Sequence, residues 1–142
     1  MPLDYILYHS RALIPDEPGA HNKILNACKR NNYQSNITGF LHREEGFFLQ
    51  YLEGESEVLD LLLDTIAKDP RHTDVTIVLR EKLYARRLPD WQMGFVDADQ
   101  LALVDLVGTV DGKIDIKSAD PNELIDFVIE NADSLTGMVL AA

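Results

Sequence analysis

The stretch Phe47-Phe48-Leu49-Gln50-Tyr51-Leu52-Glu53-Gly54-Glu55-Ser56-Glu57 changes character part-way along. Phe47 to Leu52 is aromatic and aliphatic on both faces of an alternating chain, which predicts a strand buried on both sides. Gly54-Glu55-Ser56-Glu57 breaks that strand and opens a helix, with acids at its positive end. Leu59, Leu62, Leu63 and Ile66 then recur at helical spacing until Pro70 stops the run. Just upstream, Ile37–Leu41 reads as a second strand. The turn Arg43-Glu44-Glu45-Gly46 joins it to Gly46–Glu53, so a hairpin feeds the helix.

The pattern extends in both directions. Asp4 to Ser10 is rich in β-formers, and Pro15, Pro18 and Gly19 punctuate the loop after it. A helix is predicted over about 19–32, with Ile24, Ala27 and Cys28 inward and Leu25 at the edge of that stripe. Beyond Pro70, a strand is predicted over about Val75–Tyr84, a turn at Pro89-Asp90, and a last strand over about Trp91–Val96. The order β-α-β-β-α-β-β predicts an α+β fold, a ferredoxin-like sheet with helices against it.

After residue 97 the pattern shifts, so the chain is divided into 1–97 and a helical extension, 98–142. Residues 99–106 are read as a short helix. Asp120-Pro121-Asn122-Glu123 is a strong helix start: acidic cap, proline first, glutamate third. That helix carries Leu124, Phe127, Val128 and Leu135 on one side and ends near Gly137. The tail is expected to pack on the domain or on a second copy.

Composition narrows the function classes. The 142 residues carry a net charge of −11, which argues against nucleic acid or an anionic membrane as partner. A single cysteine, Cys28, rules out an internal disulfide and fits a reducing compartment. No basic leader or long apolar run is present, so a cytoplasmic protein is expected. His9, His21, His42 and His72 are scattered, and no spacing resembles a metal site.

The informative residues are polar ones in apolar places. Alternation puts Gln50 on the face of Phe48 and Leu52, where its amide must be satisfied. Tyr8 shares a face with Ile6, and an interior phenol needs a partner. Asn31 and Asn32 continue the core-facing stripe from Ile24. Each has a plain reading, as an ordinary buried glutamine, a core tyrosine or a helix cap. Together they describe a polar pocket in an apolar wall, the general form of a small-molecule site. Trp91 and Met93 share a face of the last strand, usually core, with methionine adaptable to a moving neighbour.

Several pieces occur in order: Ile6-Leu7-Tyr8-His9-Ser10, Asn31-Asn32, Asn36-Ile37-Thr38-Gly39-Phe40-Leu41, Phe48-Leu49-Gln50-Tyr51-Leu52-Glu53-Gly54, Asp69-Pro70-Arg71-His72 and Trp91-Gln92-Met93. The chain from about residue 3 to 97 resembles the BLUF family, blue-light sensors using flavin, in its short single-domain class. The resemblance implies a noncovalent flavin, usually FAD, with FMN or riboflavin as alternatives, held on the helical face of the sheet. It implies that Asn32 bonds the pyrimidine end with Asn31 beside it, and that Ile24 and Ile66 flank the ring. Asp69, Arg71 and His72 would lie towards the polar edge and the ribityl-phosphate chain. Where many members carry an arginine this chain has Thr65, leaving Lys68 or Arg71 to cover that role, or a weaker hold on that side.

The resemblance also implies the photochemistry. Tyr8 would give an electron and a proton, the Gln50 amide would rearrange, and Trp91 and Met93 would pass the change towards the tail. The expected output is a partner protein, such as a cyclic-dinucleotide phosphodiesterase or a response-regulator-like protein, docked on the exposed side of the sheet and the tail helices. A homo-oligomer and no enzyme activity are expected. Two other readings are carried: a dark regulatory domain for another small ligand, and an acylphosphatase-like enzyme. The second lacks its phosphate cradle, since Arg11 to Gly19 offers one arginine, two acids and no glycine cluster.

Overall fold

The computed structural model describes residues 2–15, 36–87, 94–97, 109–110, 113–114 and 119–135. The elements are β1 (Leu3–Ala12), β2 (Thr38–Glu44), β3 (Phe47–Glu55), α1 (Ser56–Lys68), β4 (His72–Leu83), β5 (Gly94–Asp97), β6 (Thr109–Val110), β7 (Lys113–Ile114) and α2 (Pro121–Leu135). The predicted helix over 19–32, the short helix over 99–106 and residues 91–93 lie outside the described residues.

Five strands form one sheet in the order β4-β1-β3-β2-β5, antiparallel except for the β2–β5 pair. The first four reproduce the ferredoxin-like order expected from the sequence. β6 and β7 form a separate two-stranded ladder, so the extension after residue 97 is not wholly helical.

The hairpin ladder runs on to Glu44 opposite Phe47, two or three residues further than the sequence suggested. The turn shrinks to Glu45-Gly46, with Glu45 in the left-handed region (φ 51°). Arg43 stabilises it from the strand: its Nε donates to the Glu45 carbonyl (2.8 Å), and its guanidinium lies 5.2 Å from the Phe48 ring centre. Gly39 has φ 150°, and a Cβ there would overlap the Tyr51 carbonyl oxygen, so the Thr38-Gly39 step needs glycine. At the other end β3 continues through Gly54, and α1 starts at Ser56. β4 also starts early, at His72, because its ladder with β1 reaches Ala12.

Alternation sends alternate side chains of β1 and β3 to opposite sides. On one side Ile6, Tyr8, Phe48 and Leu52 pack under Leu59, Leu62, Leu63 and Ile66 of α1. On the other Tyr5, Leu7, Leu49 and Tyr51 pack under Leu124, Ile125 and Phe127 of α2. Each fully buried Leu or Phe contributes roughly 1.5–3 kcal/mol. The helix start read at Asp120 is present: Oδ1 accepts from the N–H of Asn122 (2.8 Å) and of Glu123 (3.4 Å). The far side of the sheet, expected as an exposed docking surface, is therefore covered at these positions by the chain's own α2. Burial of Leu124 and Ile125 drives that packing.

Candidate functional site

The β1–β3 ladder sets Tyr8 directly opposite Gln50. Both side chains are buried, 2% and 3% exposed. The Tyr8 phenol donates a hydrogen bond to Gln50 Oε1. That bond fixes the amide: its carbonyl end faces the phenol, and its NH2 end is turned away from it.

His72 lies beside this pair. Its ring meets Tyr8 edge-on at 6.3 Å between centres and Phe48 at 6.4 Å. Nε2 is 2.7 Å from the Ile66 carbonyl oxygen and Nδ1 is 2.7 Å from Ser10 Oγ. A carbonyl only accepts, so Nε2 carries the proton. In the neutral ring the Ser10 hydroxyl then donates to Nδ1. Serine two residues after Tyr8 and the end of α1 are thus tied together through one imidazole.

The Asp69-Pro70-Arg71-His72 turn makes this possible. The Asp69 N–H returns to the Ile66 carbonyl (3.2 Å), closing the helix. Asp69 Oδ1 accepts from the Arg71 N–H (2.9 Å), and Oδ2 is 3.5 Å from Arg71 Nη1. Arg71 is partly exposed, so its guanidinium borders both this carboxylate and solvent. Thr65 is exposed and bonds back to its own helix at Leu61 (3.5 Å).

Of the residues singled out from the sequence, Tyr8, Gln50, Ile66 and His72 meet on the α1 side, with Asp69 and Arg71 in the adjoining turn. Ile24, Asn31, Asn32, Trp91 and Met93 lie outside the described residues. Both ring nitrogens of His72 are engaged by the protein. Ser10 was missed, although alternation from Tyr8 points to it.

A second polar group, also missed, lies on the opposite face. Glu53 is 0% exposed. Oε1 accepts from the Thr38 hydroxyl (2.9 Å), and Oε2 accepts from the Tyr51 hydroxyl (2.9 Å) and the Arg87 N–H (3.0 Å). Burial first, then the Glu53 charge, pushes the Tyr51 phenol well above its ordinary value. Tyr5, stacked on Tyr51 at 5.8 Å, donates to Glu81 Oε2 (2.9 Å), and burial and that carboxylate raise its phenol too. The signal in the sequence was a carboxylate in phase with Leu49 and Tyr51.

Residues 3–94 match the family described as BLUF, sensors of blue light using FAD. The chain belongs to the BLUF family. It is 36% identical over 101 residues to photoactivated adenylate cyclase subunit beta of Euglena gracilis, covering 70% of this chain and 12% of that protein. It is 33% identical over 86 residues to the blue light- and temperature-regulated antirepressor BluF of Escherichia coli K12, covering 60% and 21%. The chain thus spans about an eighth of the Euglena subunit's length. Among solved structures, the dark state of the BLUF protein BlrB superposes with a TM-score of 0.75 at 31% identity, covering 91% of this chain and 96% of BlrB. Klebsiella pneumoniae BlrP1, solved with FMN and cyclic diGMP, gives 0.66 at 27% identity over 94% of this chain and 35% of BlrP1.

The described BLUF residues fit a flavin. The buried group of Tyr8, Gln50, Ser10 and His72 offers a phenol, an amide and an imidazole in an apolar wall, while the charged Asp69 and Arg71 stand at its margin. Among the described residues no cluster of three His, Cys, Asp or Glu could hold a metal ion, and no helix is long and apolar enough to cross a membrane.

Proposed function

We propose that residues 1–97 hold FAD noncovalently and convert blue light into a change of hydrogen bonding at Gln50, which residues 98–142 relay to a separate protein. The observation that carries this reading is the buried hydrogen bond from Tyr8 to Gln50 Oε1. When bound, an oxidised flavin excited by blue light supplies a strong one-electron acceptor.

Tyr8 is the donor in this reading. Its phenol gives up an electron, and the proton on its oxygen moves along the existing bond towards Gln50 Oε1. The Gln50 amide then rearranges by rotation or tautomerism, and the electron and proton return to Tyr8. No covalent bond outlasts the cycle. The amide now presents a different donor pattern to its surroundings, a difference on the order of 1 kcal/mol, enough to bias a two-state element. Trp91 and Met93 are that element.

Asn32 bonds the pyrimidine end of the heterocycle with Asn31 beside it, Gln50 lies at the ring's edge, and Ile24 and Ile66 flank the ring. Asp69 and Arg71 take the polar chain. His72 lies towards the same chain, and its two engaged nitrogens support a positioning role beside Tyr8. The chain acts as a cytoplasmic sensor without catalysis of its own. It signals as a homo-oligomer to a cyclic-dinucleotide phosphodiesterase or a response-regulator-like protein.

The test is the visible spectrum of the purified protein before and after blue light. A yellow protein with a small, reversible red shift is expected, and Gln50→Ala is expected to keep the colour and lose the shift. A colourless protein that takes up no flavin would instead favour a regulatory domain for another ligand.

A further inference from the structure

The ladder between β1 and β4 is interrupted beside Tyr8. On its β3 side, β1 pairs residue for residue from Leu3 to Arg11, with Ser10 opposite Phe48. On its β4 side the register slips twice, between Leu7 and Tyr8 and again between His9 and Arg11, and Ser10 has no partner in the β4 register. Asp74, within the second irregularity, takes the left-handed conformation (φ 56°). Tyr8 and His9 are thus a short piece of ladder with a break at each end, and such breaks leave backbone unpaired and let the strand bend.

A buried side-chain bond crosses the second break. Ser10 Oγ, on the same face as Tyr8, lies 2.7 Å from Nδ1 of His72, the first residue of β4. Ser10 is 2% exposed and His72 7%. The imidazole is anchored at its other end, where Nε2 donates to the Ile66 carbonyl oxygen (2.7 Å). That carbonyl also accepts the Asp69 N–H, so the anchor is the closed end of α1. The Arg11–Asp74 ion pair (3.5 Å) spans the same break from outside, but both side chains are more than half exposed and such a pair contributes little.

We infer that Ser10 is a positioning residue: its bond to His72 replaces the missing ladder contact beside Tyr8 and keeps the phenol where the Gln50 amide can return to it, so that losing the bond slows dark recovery. Ser10 acts through His72 and the course of β1. A strand already held in the return geometry does not have to be ordered again at each cycle. The inference rests on the photochemistry proposed for Tyr8 and Gln50.

The experiment uses the full chain loaded with flavin, comparing the parent with Ser10→Ala and Ser10→Thr. It reads the rate of dark recovery and the nitrogen-15 NMR signals of the His72 ring, identified by their loss in His72→Gln. The parent is expected to show a protonated Nε2 and a bare Nδ1 that accepts a hydrogen bond. Ser10→Ala is expected to move the Nδ1 signal and to recover about fivefold more slowly, the scale of one hydrogen bond. Ser10→Thr keeps the hydroxyl and is expected to restore both, which a general loosening of the fold would not do. Together with the parent's ring signals it carries the test if the alanine variant does not fold. A folded Ser10→Ala that recovers at the parent's rate, a Ser10→Thr as slow as the alanine variant, or a parent ring protonated at Nδ1 would each overturn the inference. A parent that shows no red shift would overturn the photochemical reading beneath it, a distinct result.

Discussion

The two faces of the sheet each bury polar groups among apolar ones, and they do so with different chemistry. Around the Tyr8–Gln50 pair the face under α1 uses uncharged groups, the Tyr8 phenol, the Gln50 amide and the Ser10 hydroxyl, with the His72 imidazole beside them. Its charged groups stand further off, Asp4 paired with Arg80 and Arg43 over the Phe48 ring. The face under α2 uses a carboxylate, Glu53, with three donors on its oxygens and an arginine alongside. An amide can exchange donor and acceptor ends at modest cost, because each arrangement satisfies similar groups. A buried carboxylate can only accept, and leaving it or its donors unpaired is expensive. Uncharged groups suit a pair that rearranges, and a buried carboxylate suits a place that holds its shape.

That contrast is broken most severely at Glu53. Glu53→Ala strands the Thr38 and Tyr51 hydroxyls and the Arg87 N–H, and a loss of about 3–5 kcal/mol is expected in denaturant unfolding. Stability close to the parent's would mean that the second face is not held by its charge. Leu124→Ala opens a cavity between α2 and the sheet, and about 2–4 kcal/mol should be lost in the same assay. A negligible loss would place α2 elsewhere in solution.

The smallest effect sharpens the comparison through pH. Tyr51 has a raised phenol in the folded chain, so the folded state keeps its proton where the unfolded chain has lost it. Its contribution is fully present below about pH 10, the unfolded tyrosine value, and is lost as pH rises beyond that, at up to about 1.4 kcal/mol per pH unit. The stability of Tyr51→Phe should therefore fall less steeply than the parent's above about pH 10. Parallel curves would contradict the burial of that phenol.

The parts that depend on local pattern were legible in the sequence. The hairpin, α1 and the Asp120 cap follow from alternation, helical spacing and a capping signature, each a matter of a few residues. Alternation also placed Gln50 and Tyr8 in the interior. The long-range facts were less accessible. That Tyr8 faces Gln50 depends on the β1–β3 register, set across 42 residues of chain. The environment of Glu53 depends on donors that include Thr38 and Arg87, far from it in the chain, which local pattern does not bring together. The bonds of His72 to Ser10 and to the end of α1 are likewise long-range facts that motif position does not show. The flavin and the photochemistry entered through family resemblance; periodicity alone led to a polar pocket.

The central claim is that the buried Tyr8–Gln50 pair is the switch and that Tyr8 drives it. The most direct measurement is the light-minus-dark absorption spectrum of flavin-loaded Tyr8→Phe beside the parent. The account predicts that the variant binds flavin and stays yellow, while the reversible red shift seen in the parent disappears. A variant that shifts and recovers as the parent does would contradict it.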